Sequence, residues 1–479
     1  MNMTTLIHRP AILALSLLGA THALGELQVS KIFGSHMVLQ QEQPIRVWGT
    51  SDPGSTVVVG IDGSGASVKT GEDGKWRVEL KAMKADGKPR VMQVVSGETT
   101  IKFEDVLIGE VWICSGQSNM EWSVSRSANA QEEIAAANHP QIRLFDVPGH
   151  VKGPEPQDDP RGQWTVCSPQ TIPGFTAVGY YFGRELEKNL KVPIGLVGTN
   201  WGGTRIEPWT PPVGFEAVPE LKDYVESLAA GNPKGGAVQI YNGMVHGLTP
   251  LSARGAIWYQ GESNAGDGLR YEHLKEALVK GWRRVFENEN LSFYWVQLAD
   301  FRAPDPNPAG GGWGPVREGQ RRALRIPNTG MAVTIDIGNA KDIHPKNKQD
   351  VGKRLALWAL ARNYGKDIVC SGPLYKGMKM EGSKIRVSFD HVGSGLMAGA
   401  KEGLARTREV TGAELTEFAI QDAEGAWHWA KARIDGADVL VWHEDVKSPQ
   451  HVRFGYQSNP EKLNLYNKEG LPASPFTTD

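Results

Sequence analysis

Residues 111–120 read Val111-Trp-Ile-Cys-Ser-Gly-Gln-Ser-Asn-Met120, an apolar run that breaks directly into a polar, glycine-bearing loop. A run without polar alternation suits a strand buried on both faces, as in a parallel sheet covered by helices. Four more runs share this character: Pro193-Ile-Gly-Leu-Val197, Gly255-Ala-Ile-Trp-Tyr259, Phe293-Tyr-Trp-Val-Gln-Leu298 and Met331-Ala-Val-Thr-Ile335. Apolar positions recur at helical spacing between or after them, in Val178, Tyr181, Phe182 and Leu186 and in Val351, Leu355, Trp358 and Ala359. Strand–helix alternation of this kind predicts a three-layer α/β/α domain with a parallel sheet over residues 109–367.

The flanks read differently. Residues 24–108 carry short β-branched or aromatic runs, such as Ile45-Arg-Val-Trp48 and Trp76-Arg-Val-Glu-Leu80. Turn chemistry separates them, as at Asp52-Pro-Gly54 and Glu72-Asp-Gly74, so a small β-sandwich is expected. Residues 368–479 return to strands, including Lys384-Ile-Arg-Val-Ser-Phe389 and Asp438-Val-Leu-Val-Trp442, and form a C-terminal β-rich module.

The chain's 479 residues suit about three domains and leave ample material for a core. Its 52 basic and 54 acidic residues leave a charge of -2, which argues against nucleic acid or an anionic membrane as partner. Residues 1–23 have the layout of an export signal: His8 and Arg9, the apolar run Ala11–Leu18, then small residues ending near Ala23. The expected location is therefore periplasmic or secreted. No later stretch reaches ~18 uninterrupted apolar residues, so the mature chain is not expected to insert in a membrane. Cys114, Cys167 and Cys370 cannot all pair with one another; one disulfide is possible, and buried thiols are the commoner outcome. The sequence does not give the oligomeric state.

Sites in open α/β sheets form beyond the carboxyl ends of strands. The loops in that position are Ser115-Gly-Gln-Ser-Asn-Met120, Gly198-Thr-Asn-Trp-Gly-Gly-Thr204, Gln260-Gly-Glu-Ser-Asn264 and Asp342-Ile-His-Pro345. Together they hold a serine, a histidine, carboxylates and amide donors, the inventory of an acyl-transfer site. No His-Glu-x-x-His, cysteine–histidine cluster or Asp-rich calcium loop occurs, and no cofactor is expected.

Four blocks in this order, Gly116-Gln-Ser-Asn119, Trp201-Gly-Gly-Thr-Arg-Ile-Glu-Pro-Trp209, Ile257-Trp-Tyr-Gln-Gly-Glu-Ser-Asn264 and Asp342-Ile-His-Pro-Lys-Asn-Lys348, resemble the sialate O-acetylesterase-like branch of the SGNH hydrolases. Asn242-Gly-Met244 and Glu469-Gly-Leu-Pro-Ala473 extend the similarity over most of the mature chain. The resemblance implies an SGNH-hydrolase domain and an esterase acting on O-acetylated carbohydrate, either sialic acid or plant polysaccharide. It makes Ser118 the nucleophile and His344 the general base. Asp342 is the expected orienting acid, because residues two apart in an extended segment project to the same side. Its Asp-x-His spacing departs from the superfamily's common Asp-x-x-His, and Glu262 is the alternative. Oxyanion donors are expected from the amides of Ser118 and of Gly202 or Gly203, with the side-chain amide of Gln260 or Asn264. Asn119, Trp201, Arg205, Glu207 and Trp209 are candidate substrate contacts. A reading from another class is a non-catalytic carbohydrate-binding protein on an SGNH-like core. The joint presence of Ser118, His344 and the amide loops weighs against it.

Overall fold

The computed structural model describes residues 25–229 and 236–479; the expected export segment lies outside them. The central sheet runs in the order Trp164–Cys167, His139–Asp146, Ile194–Asn200, Thr99–Gly116, Gly255–Tyr259, Ser292–Val296, Thr329–Ala332. From His139–Asp146 to Thr329–Ala332 every neighbouring pair is parallel. Trp164–Cys167 adds an antiparallel edge to the otherwise parallel sheet expected from the apolar runs.

Successive residues on a strand face opposite layers, and here that identifies the covering helices. Tyr294 stacks toward Trp112 and Trp358, on the side of helices Ala177–Leu190 and Lys348–Arg362. Its neighbour Phe293 meets Trp258 and Trp282, on the side of helix Arg270–Val285. Both faces are covered, so apolar side chains on both faces leave water. The last strand ends before the expected Ile335. There the carbonyl of Val333 accepts from Arg354 at 2.7 Å, and Thr334 Oγ1 donates to the carbonyl of Gln297 at 2.6 Å.

The N-terminal region is a sandwich of two antiparallel sheets. One contains Ile45–Thr50 and Lys75–Leu80; the other contains Thr56–Ile61, Ser64–Lys69, Arg90–Ser96 and the start of Thr99–Gly116. The boundary expected at residues 108/109 therefore falls inside one 18-residue strand. Its first half pairs with Arg90–Ser96 and its second half with the central sheet, so one backbone ladder joins sandwich and core.

After residue 368 come three antiparallel sheets among the described residues. Arg317 fastens this part to the core. Its fully buried guanidinium donates to the carbonyls of Leu298 and Ala299 on one side and of Gln457 and Ser458 on the other. All three cysteines are buried and unpaired.

Candidate active site

The strand Thr99–Gly116 ends where Gly116 takes φ +142; a Cβ there would stand 2.2 Å from the carbonyl oxygen of Tyr259. Only glycine permits this close approach and turn. The amide of Gln117 then donates to that carbonyl at 2.9 Å, and the one-turn helix Ser118–Glu121 begins. Ser118 sits half-buried on its first residue.

His344 reaches the same point from the loop before helix Lys348–Arg362, and its Nε2 lies 2.9 Å from Ser118 Oγ. The imidazole stacks on Trp122 with centroids 4.9 Å apart and planes at 16°, while the Arg126 guanidinium carbon sits 3.7 Å above the same indole. Asp342 Oδ1 accepts from the backbone amide of His344 at 2.9 Å and lies 3.5 Å from its Nδ1. Burial pulls the His344 pKa below its ordinary value and Lys348 adds to this, with Asp342 opposing.

Glu262, the alternative acid, has its hydrogen-bond partner elsewhere. Its Oε1 accepts from Asn119 Nδ2 at 2.6 Å, and its Oε2 has no partner among the described residues. Burial raises its pKa. Asn119 also donates to the carbonyl of Ile343 at 3.0 Å and accepts from Lys348 Nζ. At 1% exposure Asn119 is not a substrate contact, which corrects that expectation; it ties the serine turn to the histidine loop. Burial pushes Lys348 down to about 7, against the pull of Glu262 and Asp342.

Gly202 packs beside Ser118: a Cβ there would be 3.3 Å from Ser118 Cβ and 2.9 Å from Glu121 Oε2. Its amide donates to that Glu121 oxygen at 2.6 Å. The other Glu121 oxygen pairs with His150 Nε2 at 2.7 Å, and the His150 ring lies flat on Trp201 with 4.8 Å between centroids. Gly203 is exposed at φ +74 with open space around it.

The expected side-chain oxyanion donors need correcting. Gln260 is fully buried; its Nε2 donates to Thr204 O at 3.2 Å and Asn264 Oδ1 at 2.7 Å, and its Oε1 accepts from Tyr271. Asn264 is also fully buried, with Nδ2 donating to Glu207 and Asp267. Both amides have their hydrogen-bonding capacity satisfied inside the protein, where leaving a polar group unpaired is costly. Glu207 and Trp209 are buried as well and do not face a ligand. Glu207 binds Arg205, Tyr224 and Asn264, and Trp209 Nε1 donates to Thr204 Oγ1 at 2.9 Å. Arg205 is held by Glu207, Asp267, Tyr224 and the carbonyl of Ser263. With Trp201 and Gly203 it lines a cavity of ≈ 470 Å³.

Sequence reasoning did not single out Trp122, Lys348, Glu121 or His150 for roles. Trp122 lies four residues after Ser118, a spacing that signals shared surface only once the short helix is known. His150 sits in a loop with no motif around it. Among the described residues no group of His, Cys, Asp or Glu side chains converges as a metal site.

Residues 108–361 match the family described as carbohydrate esterase, sialic acid-specific acetylesterase. The sialate O-acetylesterase of Mus musculus is 33% identical over 423 residues, spanning 74% of this chain and 77% of that protein. That of Homo sapiens is 32% identical, spanning 71% of each. A carbohydrate acetylesterase from Xanthomonas citri of known crystal structure is 38% identical with a TM-score of 0.84, over 94% of this chain and 99% of that one. This chain, an SGNH-type carboxylic ester hydrolase, belongs to the sialic acid-specific acetylesterase family of carbohydrate esterases.

Proposed function

We infer that this protein is an exported serine esterase that removes O-acetyl groups from carbohydrate through an acetyl-enzyme. The observation that carries this reading is the 2.9 Å contact between Ser118 Oγ and His344 Nε2, in front of the Trp122 ring. Ser118 Oγ bonds to the acetyl carbonyl carbon while its proton passes to His344 Nε2. The carbonyl oxygen becomes an oxyanion facing the amides of Ser118 and Gly202, donors typically worth about 100- to 1000-fold each. Glu121 accepts from the Gly202 amide and pairs through its second oxygen with His150, so the incoming carbonyl oxygen competes with this carboxylate for the Gly202 donor. The carbon–oxygen bond to the sugar breaks, the sugar oxygen takes the proton from His344, and water hydrolyses the acetyl-serine by the same route.

Asp342 supports the imidazolium that forms at each step, and the Asn119 bridge fixes the histidine loop relative to the serine. The names of the relatives support an acetylated sugar as substrate, and the layout of residues 1–23 supports export. The deciding experiment measures acetate release from O-acetylated sialic acid, xyloglucan, xylan and pectic fragments, with Ser118→Ala as control. Release by the wild type and none by the variant is the expected result. Equal release by both would overturn the assignment of the nucleophile.

A further inference from the structure

Among the described residues, Trp429 is the one Phe, Tyr or Trp side chain left exposed, at 42%. It stands on the C-terminal module at the wall of a cleft of ≈ 780 Å³. Its indole N–H donates to the carbonyl of Pro306 at 2.9 Å, so the ring is fixed in orientation. Trp442 also lines the cleft; it is half-buried, with Lys384 Nζ 5.0 Å above its ring. Buried Leu415 and Phe418 contribute an apolar floor. The charged lining is mixed and nearly balanced, with Asp305, Glu414, Glu417 and Glu461 against Lys431, Arg433 and Lys462. A volume in this range, an aromatic wall and a few dispersed polar groups are the features of a small-ligand site. Exposed apolar surface beside a polar rim also marks places where something binds.

We propose that this cleft is a second, non-catalytic binding site, for a segment of neutral oligosaccharide. A pyranose ring turns its axial C–H groups to one face, and their partial positive charge suits the negative face of an indole. Its outward hydroxyls suit carboxylates and ammonium groups of mixed sign. The near-zero balance of charge favours an uncharged chain over an anionic polymer. The cleft also communicates with the catalytic loop by a short path. The segment carrying Pro306 is bonded through Arg302 to Ala340 and through Asp300 to Gly338, just ahead of Asp342 and His344. A polymer held there raises the effective concentration of its own acetyl groups at Ser118.

The proposal rests on the reading of this protein as a carbohydrate esterase, and its test separates the two. Binding of deacetylated xylan, xyloglucan and galactomannan is measured by affinity electrophoresis on Ser118→Ala and on Ser118→Ala/Trp429→Ala. The loss of one aromatic face should weaken binding by about tenfold. Trp429→Phe keeps a ring, and should hold binding near the parent. In the active enzyme, Trp429→Ala should raise KM on acetylated polymer and leave kcat/KM on p-nitrophenyl acetate unchanged. That last rate tests the esterase reading by itself. Several results would overturn the proposal: binding to none of the three polymers, equal binding with and without Trp429, or preference for anionic pectate. A dimer that becomes monomeric in Trp429→Ala would do so too, because the cleft would then be a contact between copies of this chain.

Discussion

Replacing Asp342 by Asn isolates the electrostatic part of the orienting group, because the amide oxygen can still accept from the His344 backbone as Oδ1 does at 2.9 Å. What disappears is the charge 3.5 Å from Nδ1, an interaction worth about 1 kcal/mol in water and about 5 kcal/mol at an effective dielectric near 20. The Asp342 side chain is 42% exposed, which places the environment toward the aqueous end. A loss of about 2 kcal/mol in transition-state stabilisation follows, or ~30-fold in kcat/KM. Glu262→Gln should cost less, since the neutral amide can still accept from Asn119 and the group makes no hydrogen bond to His344. The assay is p-nitrophenyl acetate turnover of both variants across pH, with circular dichroism as the folding control. Asp342 raises the pKa of His344, so its removal should also move the acid limb to lower pH. A loss under twofold in Asp342→Asn, or a larger loss in Glu262→Gln, would refute the assignment. The orienting charge would then lie in the loop after strand Gly255–Tyr259.

Ser118→Ala should retain the fold and less than a tenth of the wild-type rate, and a fluorophosphonate should label Ser118 in the wild type alone; mass spectrometry of the peptide decides. The acid limb of kcat/KM should fall below the ordinary histidine value of about 6.5, because burial and Lys348 favour the neutral imidazole that accepts the proton. A limb above that value would contradict the geometry. Asn119→Ala should lower kcat by about tenfold with KM little changed, since it unties the serine turn from Ile343 without removing a group that touches substrate. Lys275 is fully buried, its Nζ has no hydrogen-bond partner among the described residues, and it lies among Trp258, Tyr271 and Trp295. Burial drives its pKa well below the usual lysine range, so the unfolded chain binds the extra proton and stability rises with pH up to about 10.4. Lys275→Met should stabilise the protein by about 1 kcal/mol or more near neutral pH and lessen that slope in urea unfolding.

The sequence by itself determined the layers and the loops that gather at the candidate site. Unalternated runs such as Val111–Cys114 and Gly255–Tyr259 have only one stable environment, a sheet covered on both faces, and the polar loops that follow them must then gather at one edge. The meeting of the Ser118 and His344 loops was legible for that reason, although 226 residues separate the two side chains. Tertiary structure decided which of the nearby polar residues face the site. Gln260, Asn264, Glu207 and Trp209 are as polar or aromatic as true ligand contacts, yet each spends its hydrogen bonds inside the core. A one-dimensional pattern records residue type and spacing, whereas hydrogen-bond saturation depends on partners from other strands. The same limit hid the pairing of Glu121 with Gly202 and the stacking of Trp122 on His344, contacts between segments far apart in the chain. It also hid the continuity of Thr99–Gly116 through the expected boundary, because change of strand partner leaves no break in the backbone's own preference.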